Sequence, residues 1–444
     1  MSTKNWFNIG NLQTGGRVSL VAFALWGTFL YLTTPQPVSA RGQKESAEEV
    51  TSVRTFGAKG DGTTDDTTAF QKAIDASSDV FVPKGTYIIT EAIQLHDNLK
   101  VTLSKNALLK FRCMTKGRAL FTIKSKSNVT IEGGQIDGEN AKNPTGTLGG
   151  IIIRGDSRHI IIKDIEIKDM PTESEKHKFL GDGIYIGSAG ADAEAKKFPS
   201  NILISGVTLE NNMRNNISIT GGRHIRIVGC YFLGAPNDSI DIEPNKLDGD
   251  AAEITVVGNS FENANVAVGI TKSARGVVVS GNTMRCNDTF PKARSVHLGT
   301  CSDVVVTGNL MEGGQEGVRV NGKNSVISGN RILNSRHGLW VEGQGQLVTN
   351  NLIEGTTEIG IMVTVIGGNI SNNVLRNCVT DEKVDPKYPA VIYVKNYANG
   401  ILSGNMVYDD RPKPPNIQGI LLPTDADFAK TWKVSNNHVS KLKE

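Results

Sequence analysis

The chain has 444 residues, with 48 Lys and Arg against 45 Asp and Glu and a net charge of +3. A balance so near neutral excludes a strong electrostatic draw toward nucleic acid, and 38% hydrophobic with 21% charged residues excludes a disordered chain. Gly is abundant, at 48 residues, and aromatics are only 6%, so small and branched side chains must fill the core. The five Cys (113, 230, 286, 301, 378) show no CxxC and no close Cys/His pairing, which argues against a zinc site or a dense disulfide framework.

Residues 1–40 read apart from the rest. Lys4 and Arg17 precede an apolar run from Val18 to Leu32, followed by Pro35, Pro37 and Val38-Ser39-Ala40, small residues of the kind a signal peptidase needs. The run is short for a bilayer span of ~20 residues. A cleaved secretory signal is the first reading and an uncleaved N-terminal anchor the second. Either way the body of the protein is expected outside: secreted or periplasmic, or anchored and facing outward. Residues 41–52 read as a linker and 53–444 as one domain.

The segment VRTFGAKGDGTTDDTTAFQKAI, from Val53 to Ile74, predicts a short amphipathic helix. Ala69, Phe70, Ala73 and Ile74 share one face, and Asp65 or Asp66 is placed to cap its start. A lone helix before a solenoid would cover its open end and block edge pairing.

From about residue 127 one phrase recurs: an apolar residue, a small polar one, Gly or Asn, then Asn. It ends at positions 259, 282, 309, 330, 351, 373, 405 and 437, and Gly229-Cys230 carries the register backward with Cys for Asn. A period of about 22 residues means one structural unit repeated, each burying its apolar face against its neighbours. Short alternating stretches such as Gly317-Val318-Arg319-Val320 read as strands, and no window carries a competing helical stripe. Three short strands and tight turns per unit predict an all-β parallel β-helix. Asn at one fixed place per coil suits a turn needing φ > 0, and stacked Asn amides can hydrogen-bond along the ladder.

The phrase Phe56-Gly57-Ala58-Lys59-Gly60-Asp61-Gly62, then Asp65-Asp66, closely resembles the N-terminal signature of the pectate lyase/polygalacturonase superfamily. The likeness extends through Val82-Pro83-Lys84-Gly85-Thr86-Tyr87 and Ile136-Asp137-Gly138, then fades into generic coils. It implies a right-handed parallel β-helix that acts on a polysaccharide.

Aligning the strand that closes each coil gives an outward column of Tyr185, Ser218, Asp241, Gly269, His297, Arg319 and Trp340. The next outward column is Gly187, Thr220, Glu243, Thr271, Gly299, Asn321 and Glu342. Asp182, Asn215, Asp238, Arg294, Glu316 and His337 stand just before the strands. Asp238, Asp241 and Glu243 thus crowd three acids around one strand, which repulsion makes costly without a purpose or nearby cations. Lys272, Arg294, His297 and Arg319 supply those cations on the following coils.

Outward residues i and i+2 on a strand lie ~6.6 Å apart, at the lower end of the ~6.5–9.5 Å carboxyl separation of inverting glycosidases. The pair Asp241 and Glu243 is therefore expected to supply acid and base of a hydrolysis, with Asp238 and Asp182 tuning them or binding sugar. Arg214, Asn215, Lys272, Arg294, His297, Arg319 and Trp340 are candidate substrate-binding residues, Trp340 as a stacking platform or an inter-coil contact. Asp182-Gly183-Ile184 resembles the first acid motif of polygalacturonases. Arg214-Asn215 stands where they carry an Asp pair, and Asp238 where they carry a catalytic-site His. These departures imply an acid-cluster relative of other specificity.

A polysaccharide lyase or uronate epimerase remains an alternative. Lys272, His297 and Arg319 would then handle the proton and the uronate carboxylate, and Asp182, Asp238 and Asp241 could hold Ca²⁺ through hard oxygens. Hydrolysis needs no cofactor. A non-catalytic glycan-binding or surface structural protein would keep the coils without the acids. The partner expected in every case is a polysaccharide. Extra residues at 139–150, 171–181, 188–199, 285–294, 380–389 and 409–417 break the period and would wall a groove, with Glu173, Glu175, Lys176, His177 and Lys178 as polar lining.

Overall fold

The computed structural model describes residues 50–112, 118–139, 148–171, 181–187, 196–244, 250–287, 289–381, 385–395, 399–424 and 426–442. The N-terminal signal or anchor segment, Cys113 and the charged residues Glu173, Glu175, Lys176, His177 and Lys178 lie outside the described residues.

Among the described residues the chain winds through three sheets of 15, 15 and 13 strands. The first sheet runs from Thr51–Ser52 to Trp432–Ser435, the second from Asp61–Asp65 to His438–Ser440, the third from Ile93–Gln94 to Gln418–Leu421. Each strand pairs in parallel with its counterpart one coil on, as Ile254 does with Val277 and Phe261 with Met284. This is the parallel β-helix that the period predicts. The inward positions, such as Ile225, Ile254 and Val277, are fully buried and form one continuous core. Aromatic residues are few inside; the rings of Phe232 and Phe261 stack 4.6 Å apart at 7°, whereas Phe70 meets Tyr87 edge-on.

The recurring Asn divides its expected work with the residue before it. Left-handed φ, between 55 and 66°, falls on Gly258, Gly281, Gly308, Gly329, Asn350, Asn372, Gly404 and Asn436. The Asn that follows turns inward and builds a ladder. Asn282 Nδ2 donates to Asn309 Oδ1 (2.9 Å), Asn309 Nδ2 to Asn330 Oδ1 (2.9 Å), and so on to Asn437. Each carboxamide also accepts the backbone N–H of the previous rung, beginning with Cys230 N to Asn259 Oδ1 (2.9 Å). The buried amides of the ladder thus satisfy one another.

The predicted helix spans Thr67–Ala76 (α1) and buries Ala69, Phe70, Ala73 and Ile74. It packs on the 3-10 turn Val53–Phe56 and on the strands Asp79–Val82 and Ile93–Gln94. Asp66 makes no side-chain cap; its carboxylate accepts from Lys59 N (2.6 Å) and Gly60 N (3.1 Å) and so folds the loop before the helix. Asp65 accepts instead from Thr67 N (3.0 Å) and Thr67 Oγ1 (2.6 Å). Gly60 has φ +62°, and a Cβ there would lie 2.7 Å from the Tyr87 ring. The signature phrase therefore shapes the chain's entry into the coils.

Candidate active site

The register of the third sheet reproduces the outward column. Tyr185 pairs with Ser218, Ser218 with Asp241, Asp241 with Gly269, Gly269 with His297, His297 with Arg319, and Arg319 with Trp340. Parallel pairing stacks these residues about 4.8 Å apart. A groove of about 830 Å³ opens over this column, and Arg214, Asn215, Asp238, Asp241, Glu243, Lys272, Arg294 and His297 line it.

Three acids converge as the sequence predicts, but in unequal settings. Asp241 is 8% exposed, and burial, then repulsion from Glu243, pushes its carboxyl up to about 7. Arg214 and Lys272 oppose that rise, and Asp182 adds to it. Asp238 is raised well above the carboxylate range by burial and by Asp241 and Glu243. Its carboxylate extends over Gly269 on the next coil, where a Cβ would overlap Oδ2. Glu243 is far more open and pairs with Lys272 Nζ at 3.1 Å.

Asp182 does not line the groove. It is 2% exposed, and burial raises its carboxyl to about 6 against the pull of Arg214 and of hydrogen bonds from Ser218 and Asn215. Arg214 Nε stands 3.5 Å from Asp182 Oδ1 and Nη2 3.9 Å from Asp241 Oδ2, so the guanidinium lies between the two acids. Among the described residues no group of three His, Cys, Asp or Glu side chains is arranged to hold a metal ion. With a guanidinium wedged inside it, the Asp182, Asp238 and Asp241 set does not fit a calcium ion.

Two further expectations change. Arg319 and Trp340 share the column but do not line the groove. Arg319 is engaged by Glu316 (3.1 Å) and Glu342 (3.0 Å), and its guanidinium stacks 5.0 Å over the Trp340 ring. Trp340 in turn meets His337 and Tyr388, with ring centroids 5.3 and 6.1 Å away. Trp340 is thus the inter-coil aromatic contact rather than a wall of this groove. His297 does line it, and burial, then Arg294 and Arg319, lowers its imidazole to about 4, so it is neutral at pH 7.

The groove gains two cations absent from the sequence reading, Arg154 and Lys292. Arg154 was within reach. Ile153 pairs with Ile186, so extending the alignment by one coil puts Arg154 at the head of the column of Gly187, Thr220 and Glu243. Its guanidinium lies over the Tyr185 ring at 5.3 Å. Lys292 belongs to an insertion, which no periodicity places.

Residues 50–290 match the family model described as rhamnogalacturonase A/epimerase, pectate lyase-like, and residues 285–439 match the right-handed beta helix region. The uncharacterized protein YclG of Bacillus subtilis is 26% identical over 63% of this chain, which spans 58% of that protein. Among solved structures, the N-terminal fragment of bacteriophage phi29 gene product 12 superposes with a TM-score of 0.58 at 18% identity, covering 86% of this chain and 72% of that one. A tailspike double mutant of E. coli bacteriophage HK620, in complex with a pentasaccharide, gives 0.57 at 12% identity, over 88% and 78%. At these identities the structural likeness is one of fold, and the match to the right-handed beta helix region makes the coils right-handed. Because the first family model covers more than half of the sequence, the chain belongs to the rhamnogalacturonase A/epimerase, pectate lyase-like family.

Proposed function

We propose that this protein cleaves a polysaccharide laid along the third sheet, by inverting hydrolysis. Asp241 is the general acid and Glu243 the general base. The observation that carries this reading is the contrast between two carboxyls two residues apart, Asp241 on the strand Asp238–Ile242 and Glu243 just past its end. Asp241 is buried and holds its proton to about pH 7, whereas Glu243 is open and paired with Lys272. Two titratable groups with environments that push them apart are what acid and base roles require. Their strand spacing of ~6.6 Å leaves room for the attacking water. Repulsion from Glu243 helps to keep the proton on Asp241, and Arg154, Lys272, Lys292 and Arg294 give the groove a cationic wall for an acidic glycan. The pentasaccharide bound by the tailspike relative supports a glycan as the partner. The apolar run of residues 18–32, with a pre-neck appendage protein of Bacillus phage phi29 among the sequence relatives, supports action outside the cell.

One observation favours a second reading. His297 is a neutral imidazole beside Arg294 in the same groove, which suits a base taking the proton alpha to a uronate carboxyl. That would make the protein a lyase or epimerase. A polysaccharide panel incubated with the purified protein separates the readings. New reducing ends without the ultraviolet band of an unsaturated uronate support hydrolysis. That band moves the chemistry to His297 and Lys272. Glycan binding with no turnover on any polymer reduces the protein to a binding module.

A further inference from the structure

We propose that Asn215 is a positioning residue that decides which oxygen of the Asp241 carboxyl carries the transferable proton, a role that rests on Asp241 being the acid proposed above. Asn215 is 2% exposed and sits one coil before Asp241. The backbone N–H of Asp238 donates to Asn215 Oδ1 at 3.1 Å, and a backbone N–H can only donate. That contact fixes the orientation of the amide, so Nδ2 must face the other way. There it donates to Asp241 Oδ2 at 3.2 Å and to Ser218 Oγ at 2.9 Å. Arg214 Nη2 approaches the same Asp241 oxygen at 3.9 Å. An oxygen that faces two donors is held as the acceptor, and a proton there would collide with them. Oδ1 is the oxygen that neither donor approaches, so it is the hydroxyl oxygen of the acid.

The rest of the network runs in the same direction. Ser218 Oγ accepts from Asn215 and from Arg214 Nη2 (3.4 Å), which leaves its own hydrogen to donate to Asp182. Asp182 Oδ1 also receives Asn215 N at 3.2 Å. Every group on this side of Asp241 is thus a donor to it or is already committed elsewhere. In the transfer, the O–H bond at Oδ1 breaks as the proton joins the glycosidic oxygen. The electron pair stays on Oδ1, and the carbon–oxygen bond of the sugar breaks onto the departing oxygen. Glu243 takes one proton from the water whose oxygen bonds the anomeric carbon, so the sum is one water added. The titratable and charged groups facing Asp241 during this step are Asp182 and Arg214 behind it, Asp238 on its own strand, Glu243 just past that strand's end, and Lys272 on the next coil.

The test needs no substrate for its first arm. The infrared difference between the full chain and Asp241→Asn, on the acid side of the titration, isolates the carbonyl stretch of protonated Asp241. In Asn215→Ala that band is expected at higher frequency, because its carbonyl oxygen has lost a donor. Asn215→Asp keeps the shape and the acceptor for Asp238 N while adding a carboxylate. It is expected to move the alkaline limb of the rate profile upward and to lower kcat on the order of a hundredfold with little change in KM. A carboxyl band absent from the difference spectrum, or one that Asn215→Ala leaves in place, overturns the positioning role. A band that shifts in a protein that cuts no glycan keeps the positioning role and removes the hydrolysis. Hydrolysis with an unmoved band does the reverse.

Discussion

The carboxylate of Asp238 lies in the space that a side chain on Gly269 would fill, one coil further along the third sheet. Gly269 is the one residue without a side chain in the outward column from Tyr185 to Trp340, and the acid leans into that gap. Gly269→Ala is therefore expected to push Asp238 away from Asp241 while leaving the strand intact. Activity should fall on the order of a hundredfold through misplacement alone. Assays beside a thermal melt check this: a large loss of stability would show that the strand, rather than the acid, was disturbed.

Asp241→Asn and Glu243→Gln are each expected to lower kcat by ~10²–10⁴. Only the Asp241 variant should remove the alkaline limb of the pH profile, since Asp241 must be protonated to act. Initial rates across pH on the polymer found in the panel decide this. An Asp241 variant with near-normal rates removes it as the acid.

The raised carboxyls also tie stability to pH. Asp241, ordinarily near 3.8, titrates at about 7 in the folded chain, so between those values the folded chain holds a proton that the unfolded chain has released. Its contribution is fully present below about pH 4 and is lost as pH rises through 7, at roughly 1 kcal/mol per pH unit inside the window. His297, lowered to about 4, has the opposite sign below its ordinary 6.5. The clean measurement is the difference between the original chain and Asp241→Asn in urea unfolding. The variant is expected to gain relative stability as pH is raised from 5 to 8, and a flat difference contradicts the buried acid.

Asn330 carries one rung of the amide ladder. It accepts from Asn309 N and Nδ2, and it donates to Val306 O (2.9 Å) and Asn351 Oδ1 (3.0 Å). Asn330→Ala strands buried donors on one side and an acceptor on the other, and should cost roughly 2–4 kcal/mol. Asn324→Ala, at an exposed corner, should cost far less. Urea midpoints of the two variants compare them directly.

Much of this molecule is legible in its sequence because a solenoid turns sequence period into spatial neighbours. The column from Tyr185 to Trp340 is visible by alignment alone, and so is the crowding of Asp238, Asp241 and Glu243. Periodicity gives the coil on which a side chain sits, yet it does not give the direction in which that side chain leans. Asp238 reaching over Gly269, Arg214 slipping between Asp182 and Asp241, and Arg319 turning to Glu316 and Glu342 are all rotamer choices between coils. Asp66 shows the same limit locally, since a capping position and a loop-folding contact look alike in sequence.

The amide ladder from Asn259 to Asn437 makes the later coils a zipper with a single continuous thread. Each rung is both donor and acceptor, so peeling one coil from the end exposes half of the next rung's pairing at the same moment. Unravelling from that end should proceed as a sequence of equal, resisted steps, like links drawn one at a time through a ratchet. Among the described residues the coils before Cys230 carry no such thread in that corner, and they hold to one another by apolar packing, sheet pairing and separate polar contacts such as Asn128 Nδ2 to Asn98 Oδ1. Pulled along its axis, the molecule would thus part in two mechanical styles, with the acid groove lying where one gives way to the other.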